Sequence, residues 1–345
     1  MLLTVDKIVQ ETDDAVSVIF KKPGFFSSIK YKSGQFLTLK VPVKNRIENR
    51  SYSLSSSPWL HKYLRITVKK VKDGLVSNYI CDQLKEGQKI EIDKPMGNFF
   101  VVPNKKEANQ YILLAGGSGI TPIYSIILSV LEKEPKSSIL LIYANQNKNT
   151  IIFKKELEAL LQKYPDRIVM HHFLESVDTP EKHYYEGRLN ETKLNEILQT
   201  KGIAYSTGKF MLCGPQGFMD AAVAILTNNG VPENKIMLEA FTADLSKMEA
   251  ESVDASSVTL SGVGFDSTIT VNKGETILKA ALDSNVEIPY SCRSGMCSSC
   301  KAKCTSGSVK MLDGHLLPEN EIAEGYILTC ISFPTSENVA ITLPQ

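Results

Sequence analysis

Four cysteines constrain this chain more tightly than any other feature. Cys292, Cys297, Cys300 and Cys330 follow the spacing C-x4-C-x2-C-x29-C, three of them in the loop SCRSGMCSSC and the fourth in ILTC. A pair of sulfide-bridged irons needs four soft thiolates, three from one loop wrapped round the core and a fourth from elsewhere in the fold. The residues between them, Arg293, Ser294, Gly295, Met296, Ser298 and Ser299, include small ones that let backbone N–H groups approach the sulfurs and tune the core's potential. The spacing therefore predicts a [2Fe–2S] cluster. A structural zinc site is the rival, but it usually takes two C-x2-C knuckles. Cys304 competes with Cys330 for the fourth place. It lies in KAKCTSG, where a strand carries it away from the loop, so Cys330 is preferred and Cys304 is expected to be a buried bystander.

The N-terminal MLLTVDKIVQETDD has no apolar run of signal-peptide length. A reducing, cytoplasmic setting is the expectation, and it argues against disulfides for the seven cysteines. The segment Tyr111–Leu131 is uncharged over 21 residues. Its centre, GGSGITP, would break a membrane helix, so a strand, a tight loop and a soluble helix are expected, with no membrane partner. The formal net charge of +1 carries no global signal for nucleic acid. The charge is uneven: from Val258 onward six Lys/Arg face nine Asp/Glu, which leaves the remainder basic.

A chain of 345 residues, 43% hydrophobic, suits two or three globular domains. Residues 1–104 read as short strands between Gly, Pro, Ser and Asn clusters, for example Ala15–Phe20, Phe36–Val41, Leu64–Val71 and Lys89–Ile92. That pattern predicts a small antiparallel β-barrel. From 105 to 242 strand and helix alternate, as in YILLAGG, ITPIYSIILSVLEKE, SILLIYANQ and FKKELEALLQKY, which predicts an α/β domain with a parallel sheet. Residues 243–257 are rich in Ser and acids and read as a linker, with a typical span of roughly 20 Å. Residues 258–345 return to strands with one helix, ETILKAALDSN, before the cysteine loop.

The segment 258–345 resembles a plant-type ferredoxin, which implies an α+β, β-grasp fold. Upstream, Arg50-Ser51-Tyr52-Ser53 lies between two predicted strands. A guanidinium clamps pyrophosphate, a Tyr ring stacks on isoalloxazine, and a Ser hydroxyl bonds the ring where hydride arrives. Alone, the four residues read better as a surface Arg and a core Tyr. Their neighbours VKKVKDGLVSNYICDQL, in which Gly74 and Ser77 open a helix, and PMGNF decide for a flavin. In this order the motifs resemble the ferredoxin–NADP reductase superfamily over residues 1–242. The resemblance implies that Arg50, Tyr52, Ser53, Lys69, Gly74, Val76 and Ser77 bind the flavin, as FAD rather than FMN.

Leu114-Ala115-Gly116-Gly117-Ser118-Gly119-Ile120-Thr121-Pro122 joins a strand to a helix, and Cys213-Gly214-Pro215 ends a later strand. Glycines let a dinucleotide approach the backbone, and a helix N-terminus favours its charge. In the family resembled, the first motif holds the cofactor phosphates and the second lines the nicotinamide. That implies Gly117, Thr121, Cys213 and Gly214 as contacts, with Tyr52, Ser53 and Cys213 closest to the chemistry. Phe241, in the strand end Glu239-Ala240-Phe241, is an aromatic that the resemblance places near the flavin. Many NADP-using relatives grip the 2′-phosphate with an Arg in Y-G-N-R; here Tyr143-Ala144-Asn145-Gln146 stands instead, and NADPH versus NADH is left open.

A nicotinamide gives two electrons as a hydride, a [2Fe–2S] cluster accepts one at a time, and a flavin bridges the two. The expected activity is thus a reductase carrying electrons from NAD(P)H through FAD and the cluster. The arrangement resembles oxygenase reductases of the phenylacetyl-CoA epoxidase type, which implies a protein oxygenase as acceptor. A non-catalytic iron–sulfur carrier or redox sensor with vestigial nucleotide sites is the alternative.

Overall fold

The first sheet comes from six segments whose apolar side chains point inward. β1 (Leu2–Thr12), β2 (Ala15–Phe20), β3 (Phe36–Val43), β4 (Arg46–Ser53), β5 (Leu64–Lys69) and β6 (Lys89–Ile92) pair antiparallel in the order β4-β3-β6-β1-β2-β5. The edges meet where Leu54 bridges Ile66 and the Ser55 N–H donates to the Arg65 carbonyl at 2.7 Å, so the sheet closes as a barrel. α1 (Leu75–Asp82) lays Val76 and Ile80 on a core that includes Val5, Val18, Leu39 and Ile66. Each fully buried aliphatic of this kind contributes about 1.5–3 kcal/mol relative to exposure. The computed structural model describes residues 1–21, 29–43, 46–177, 183–241, 252–262, 265–313 and 315–343, which form two compact units divided after Glu239.

Next come β7 (Gln110–Gly116), α2 (Ile120–Lys133), β8 (Ser138–Asn145), α3 (Lys154–Lys163), β9 (Ile168–Leu174), β10 (Tyr184–Glu186), α4 (Glu191–Thr200), β11 (Gly208–Cys213), α5 (Gln216–Asn228) and β12 (Ile236–Glu239). Their strands are all parallel, in the order β10-β9-β8-β7-β11-β12. The chain enters at β7, winds outward to β10, then returns to the other side of β7 at β11. Such a reversal opens a crevice beyond the carboxyl ends of the two central strands. The uncharged run Tyr111–Leu131 is β7, one 3-10 turn and most of α2, as expected. Among the described residues no helix is long and apolar enough to cross a membrane.

A buried polar seam joins barrel and parallel sheet within the first unit. Ser125 of α2 donates to the Ser56 carbonyl at 2.6 Å, and Ser129, one turn on, bonds the hydroxyls of Ser57 (2.7 Å) and Ser33. Arg65 of β5 is 6% exposed. Its guanidinium donates to Glu156 of α3 at 2.7 Å and to the Ser55 hydroxyl and carbonyl, each at 3.2 Å. It also lies 4.7 Å from the ring centroid of Phe153 and 5.3 Å from that of Tyr124. Phe153, which starts α3, is in the left-handed region at φ 61°. For a residue with a Cβ that conformation costs roughly 1–2 kcal/mol.

The second unit contains β13 (Ala255–Gly262), β14 (Phe265–Asn272), α6 (Ile277–Asp283), β15 (Lys301–Ser306), β16 (Val309–Met311), α7 (Glu319–Ala323), β17 (Tyr326–Leu328), β18 (Ser332–Pro334) and β19 (Asn338–Thr342). Five strands form a mixed sheet in the order β14-β13-β19-β15-β17, with β13 and β19 parallel, and β16 pairs with β18. α6 starts at a Thr276 side-chain cap and buries Ile277, Leu278, Ala280 and Ala281. Two expectations shift. β13 begins three residues before 258, because Ala255–Ser257 pair with β14 despite their polarity. α7 leaves no mark in the sequence because a single turn shows no periodicity. Of the expected linker, 243–251 lies outside the described residues.

β9 carries the imidazoles of His171 and His172, both pushed down to about 4, chiefly by burial, then by His183 for the first and by Lys154 for the second. Both therefore protonate more readily in the unfolded chain, at their ordinary value of 6.5, than in the fold. Stability from this source is complete above about pH 6.5 and falls towards pH 4, by on the order of 2 kcal/mol per imidazole. Thermal unfolding followed by circular dichroism should show a midpoint that drops as the pH is lowered from about 7 to about 5. A midpoint flat over that range would contradict this account.

Candidate functional site

Two glycine-bearing turns meet at the crevice. GGSGITP leaves β7 through the 3-10 turn Gly117–Gly119 into α2, and Cys213-Gly214-Pro215 leaves β11 into α5. β7 and β11 are neighbours, with Cys213 beside Ala115 in register. A Cβ on Gly119 would fall 2.0 Å from the Cys213 carbonyl oxygen, and one on Gly214 would fall 3.0 Å from Gly116 Cα. These glycines are required by the packing of turn on turn. Gly117 is different: its φ is +50° and a Cβ there would meet nothing within 4 Å, so this is the open side of the loop. Neither α2 nor α5 has a side-chain cap, whereas α4 and α6 are capped by Asn190 and Thr276. Uncapped N-terminal N–H groups leave donors for a phosphate.

Thr121 is buried, and its hydroxyl donates to the Ser118 carbonyl at 3.0 Å, so its side chain braces the loop from within. Tyr143 does the same from β8, donating to the Gly117 carbonyl at 3.1 Å. The Cys213 thiol is fully buried and its pKa is raised well above the usual value, first by burial and then by the nearby Glu239 carboxylate, so it stays neutral. Glu239 ends β12 beside Cys213 in register. It is 4% exposed and accepts a hydrogen bond from Ser53 Oγ at 3.1 Å. Ser53, Cys213 and Glu239 therefore gather at one edge from β4, β11 and β12. Glu239 did not stand out in the sequence. The signal was there, as one acid ending the apolar strand KIMLE level with the Cys-Gly-Pro turn.

Along β4 the alternation places Arg50 and Tyr52 on one face and Ser51 and Ser53 on the other. The Arg50 guanidinium donates to Glu48 at 3.1 Å and to the Asn49 carbonyl at 2.8 Å. Tyr52 is half-buried, and burial raises its hydroxyl pKa. At the start of α1, a Cβ on Gly74 would lie 2.5 Å from Ser77 Oγ, and that hydroxyl accepts from the Val71 N–H at 3.2 Å. α1 has no side-chain cap. The Val76 side chain is 2% exposed and packs in the barrel core, so only its backbone can face a ligand. The Lys69 ammonium pairs with Asp14 at 3.3 Å. Phe241 lies past the end of the first unit and is 40% exposed.

In the second unit Cys297, Cys300 and Cys330 are buried and Cys292 is partly exposed. Their thiols interact in the chain Cys297–Cys292–Cys330–Cys300. Hydrogen bonding from Cys297 and then Cys330 holds the Cys292 thiol well below its usual range, while the same contacts hold Cys297 and Cys330 up. Backbone N–H groups face the sulfurs: Ser294 donates to Cys292 Sγ at 3.5 Å, with Ser299 on Cys297 and Cys330 on Cys300. Among the described residues no three His, Cys, Asp or Glu side chains are arranged to hold a single metal ion. Four thiols in one chain of contacts, with N–H donors on three of them, fit a two-iron core held by thiolates. The loop turns through positive φ at Arg293 (60°) and Gly295 (76°), where a Cβ on the glycine would lie 2.9 Å from Ile331 Cδ1. Cys304 stands apart from the chain of thiols. It is partly exposed rather than buried, because β15 places it in a cleft lined also by Met311 and Tyr326.

Comparison with known proteins agrees with this division of labour. The family described as an oxidoreductase FAD-binding domain matches residues 2–101, the oxidoreductase NAD-binding domain 113–224, and the 2Fe-2S iron-sulfur cluster binding domain 258–335. The ferredoxin reductase component of 3-ketosteroid-9-alpha-monooxygenase from Rhodococcus rhodochrous is 33% identical over 99% of this chain and 96% of its own length. A component of the 1,2-phenylacetyl-CoA epoxidase of Escherichia coli is 32% identical over 98% and 96%. The chain belongs to this family of FAD- and [2Fe–2S]-containing reductases. The solved structure of phthalate dioxygenase reductase matches the reductase with a TM-score of 0.67 and 25% identity, over 99% of this chain and 98% of that one. The three-part architecture is therefore that of a flavin barrel, a nicotinamide α/β domain and a β-grasp ferredoxin domain, and the non-catalytic alternative gives way to an NAD(P)H-dependent oxidoreductase.

Gly119→Ala should cost at least about 3 kcal/mol, because the clash is with backbone rather than with a side chain that can move. Gly117→Ala should cost only about 1 kcal/mol, from its positive φ. Denaturant unfolding of the two variants checks the contrast, and equal losses would refute it.

Proposed function

We propose that the reductase takes a hydride from NAD(P)H and delivers single electrons to a separate oxygenase component, as the names of its monooxygenase and epoxidase relatives suggest. One observation supports this most directly: Ser53 of the flavin motif donates to Glu239 beside Cys213, so flavin and nicotinamide motifs share one crevice. When bound, FAD accepts an electron pair as hydride and releases electrons singly, and the cluster accepts one at a time.

The chain's own part is to bind and orient. Arg50 offers a guanidinium for the FAD pyrophosphate and Tyr52 a half-buried ring for the isoalloxazine. Gly74, the Val76 backbone and the turn braced by Ser77 present the uncapped end of α1 to phosphate. Lys69 sits at the margin, balanced by Asp14. Gly117 admits the dinucleotide phosphates, and Thr121 keeps that loop in shape. Gly214 leaves room beside the nicotinamide, and Cys213 backs that position with a buried, neutral thiol. Glu239 fixes the Ser53 hydroxyl, whose proton lies on the bond to the carboxylate. Phe241, two residues beyond Glu239 in the chain, is the aromatic that the family resemblance pairs with the flavin. Asn145, which ends β8 close to the Tyr143 that braces the loop, offers a ribose contact. Cys292, Cys297, Cys300 and Cys330 hold the cluster. A reducing, cytoplasmic setting suits four cysteines that must serve as thiolate ligands.

Anaerobic titration of the purified protein with NADH and with NADPH should bleach flavin absorption near about 450 nm together with the cluster bands. A colourless protein containing one zinc would overturn the reading. Cys330→Ser should lose iron and acid-labile sulfide, whereas Cys304→Ser should keep both; the reverse would exchange the fourth ligand.

A further inference from the structure

Arg65 is a buried cation at the seam between the barrel and the α/β domain. An aliphatic residue would pack as well, since buried ion pairs seldom add net stability over apolar replacements of similar volume. Its surroundings are nonetheless built from both domains. The barrel supplies Ser55, and the α/β domain supplies Glu156, Phe153 and Tyr124. Phe153 keeps a left-handed backbone while fully buried, its ring stacked on Tyr124 at 4.5 Å. Strain of this kind persists only where the surroundings over-determine it.

The connections to the crevice are short. Ser53 is followed two residues later by Ser55 in the seam. The loop that holds Gly117 runs directly into α2, whose next turns carry Tyr124 and Ser125. The same loop is tied at the Gly117 carbonyl to Tyr143 of β8, and the chain leaving β8 begins α3 at Phe153. Arg65 therefore touches α2, which continues the dinucleotide loop, and α3, which follows β8 in the chain.

We propose that Arg65, Glu156 and Phe153 are positioning residues that set the register between the flavin motif and the dinucleotide loop for hydride transfer. The proposal rests on the reading that this crevice takes FAD and NAD(P)H. Arg acts here through its planar fork, with one edge on Glu156, another on Ser55 and one face on the rings. Lys would keep the charge and lose that geometry.

The test is anaerobic stopped-flow reduction of the full-length holoprotein by saturating NADH or NADPH, in the parent, Glu156→Gln and Arg65→Lys. Flavin content, thermal midpoint and dinucleotide Kd are measured alongside. Glu156 is partly exposed, so its variant reports even if Arg65→Lys fails to retain flavin. The expected result is a limiting rate of flavin reduction lower by about tenfold or more, in flavin-replete protein whose Kd is little changed. Parental rates in both variants, or rate losses that merely track lost flavin or a raised Kd, would overturn the clamp alone. A parent that neither nicotinamide reduces would overturn the proposed function and the clamp with it.

Discussion

The closeness of two backbone turns governs the architecture of the crevice. With Gly119 pressed on the Cys213 carbonyl and Gly214 on Gly116, β7 and β11 end at the same level with their following helices side by side. Nothing larger than hydrogen fits between them. Two helix N-termini are thereby brought to one place without side-chain caps, in a fold whose strand order already leaves an opening there. Cys213 and Glu239 occupy the floor of that opening because β11 and β12 run parallel in register beside it. A side chain at Gly119 would part the turns and disperse the group.

The second organising feature is polar. A barrel packed on an α/β layer through apolar residues alone would slide at little cost, since hydrophobic contact is non-directional. Here the seam consists of the hydroxyls of Ser33, Ser57, Ser125 and Ser129, the Ser56 carbonyl and the Arg65 guanidinium, on residues that are all buried. A satisfied buried network specifies one arrangement, because any displacement leaves donors unpaired in a low-dielectric setting. The Ser53–Glu239 bond extends that specification to the edge where the chemistry is proposed.

Several residues marked by the family motifs also do structural work. Val76 packs in the barrel core, Thr121 closes its own loop and Ser77 braces a turn. Motif matching identifies positions that must be particular residues. It does not separate those that touch a ligand from those that hold the backbone which touches it. Glu239 shows the converse, since its neighbours Ser53 and Cys213 are far away in sequence and no local pattern joins them.

The chain's order of domains, the strand and helix periods and the four-cysteine spacing were all legible in the sequence, because each is a local signal: a period, a turn residue, or three thiols in one loop. The strand Ala15–Phe20 and the strand Lys89–Ile92 appear at the residues their alternation indicates. Tertiary structure alone decided which side chains from distant strands meet. It brought Glu239 to Ser53 and placed Arg65 against two stacked aromatic rings of another domain. The physical reason is that these meetings depend on sheet register and packing depth, which a linear pattern does not encode until the chain has closed on itself.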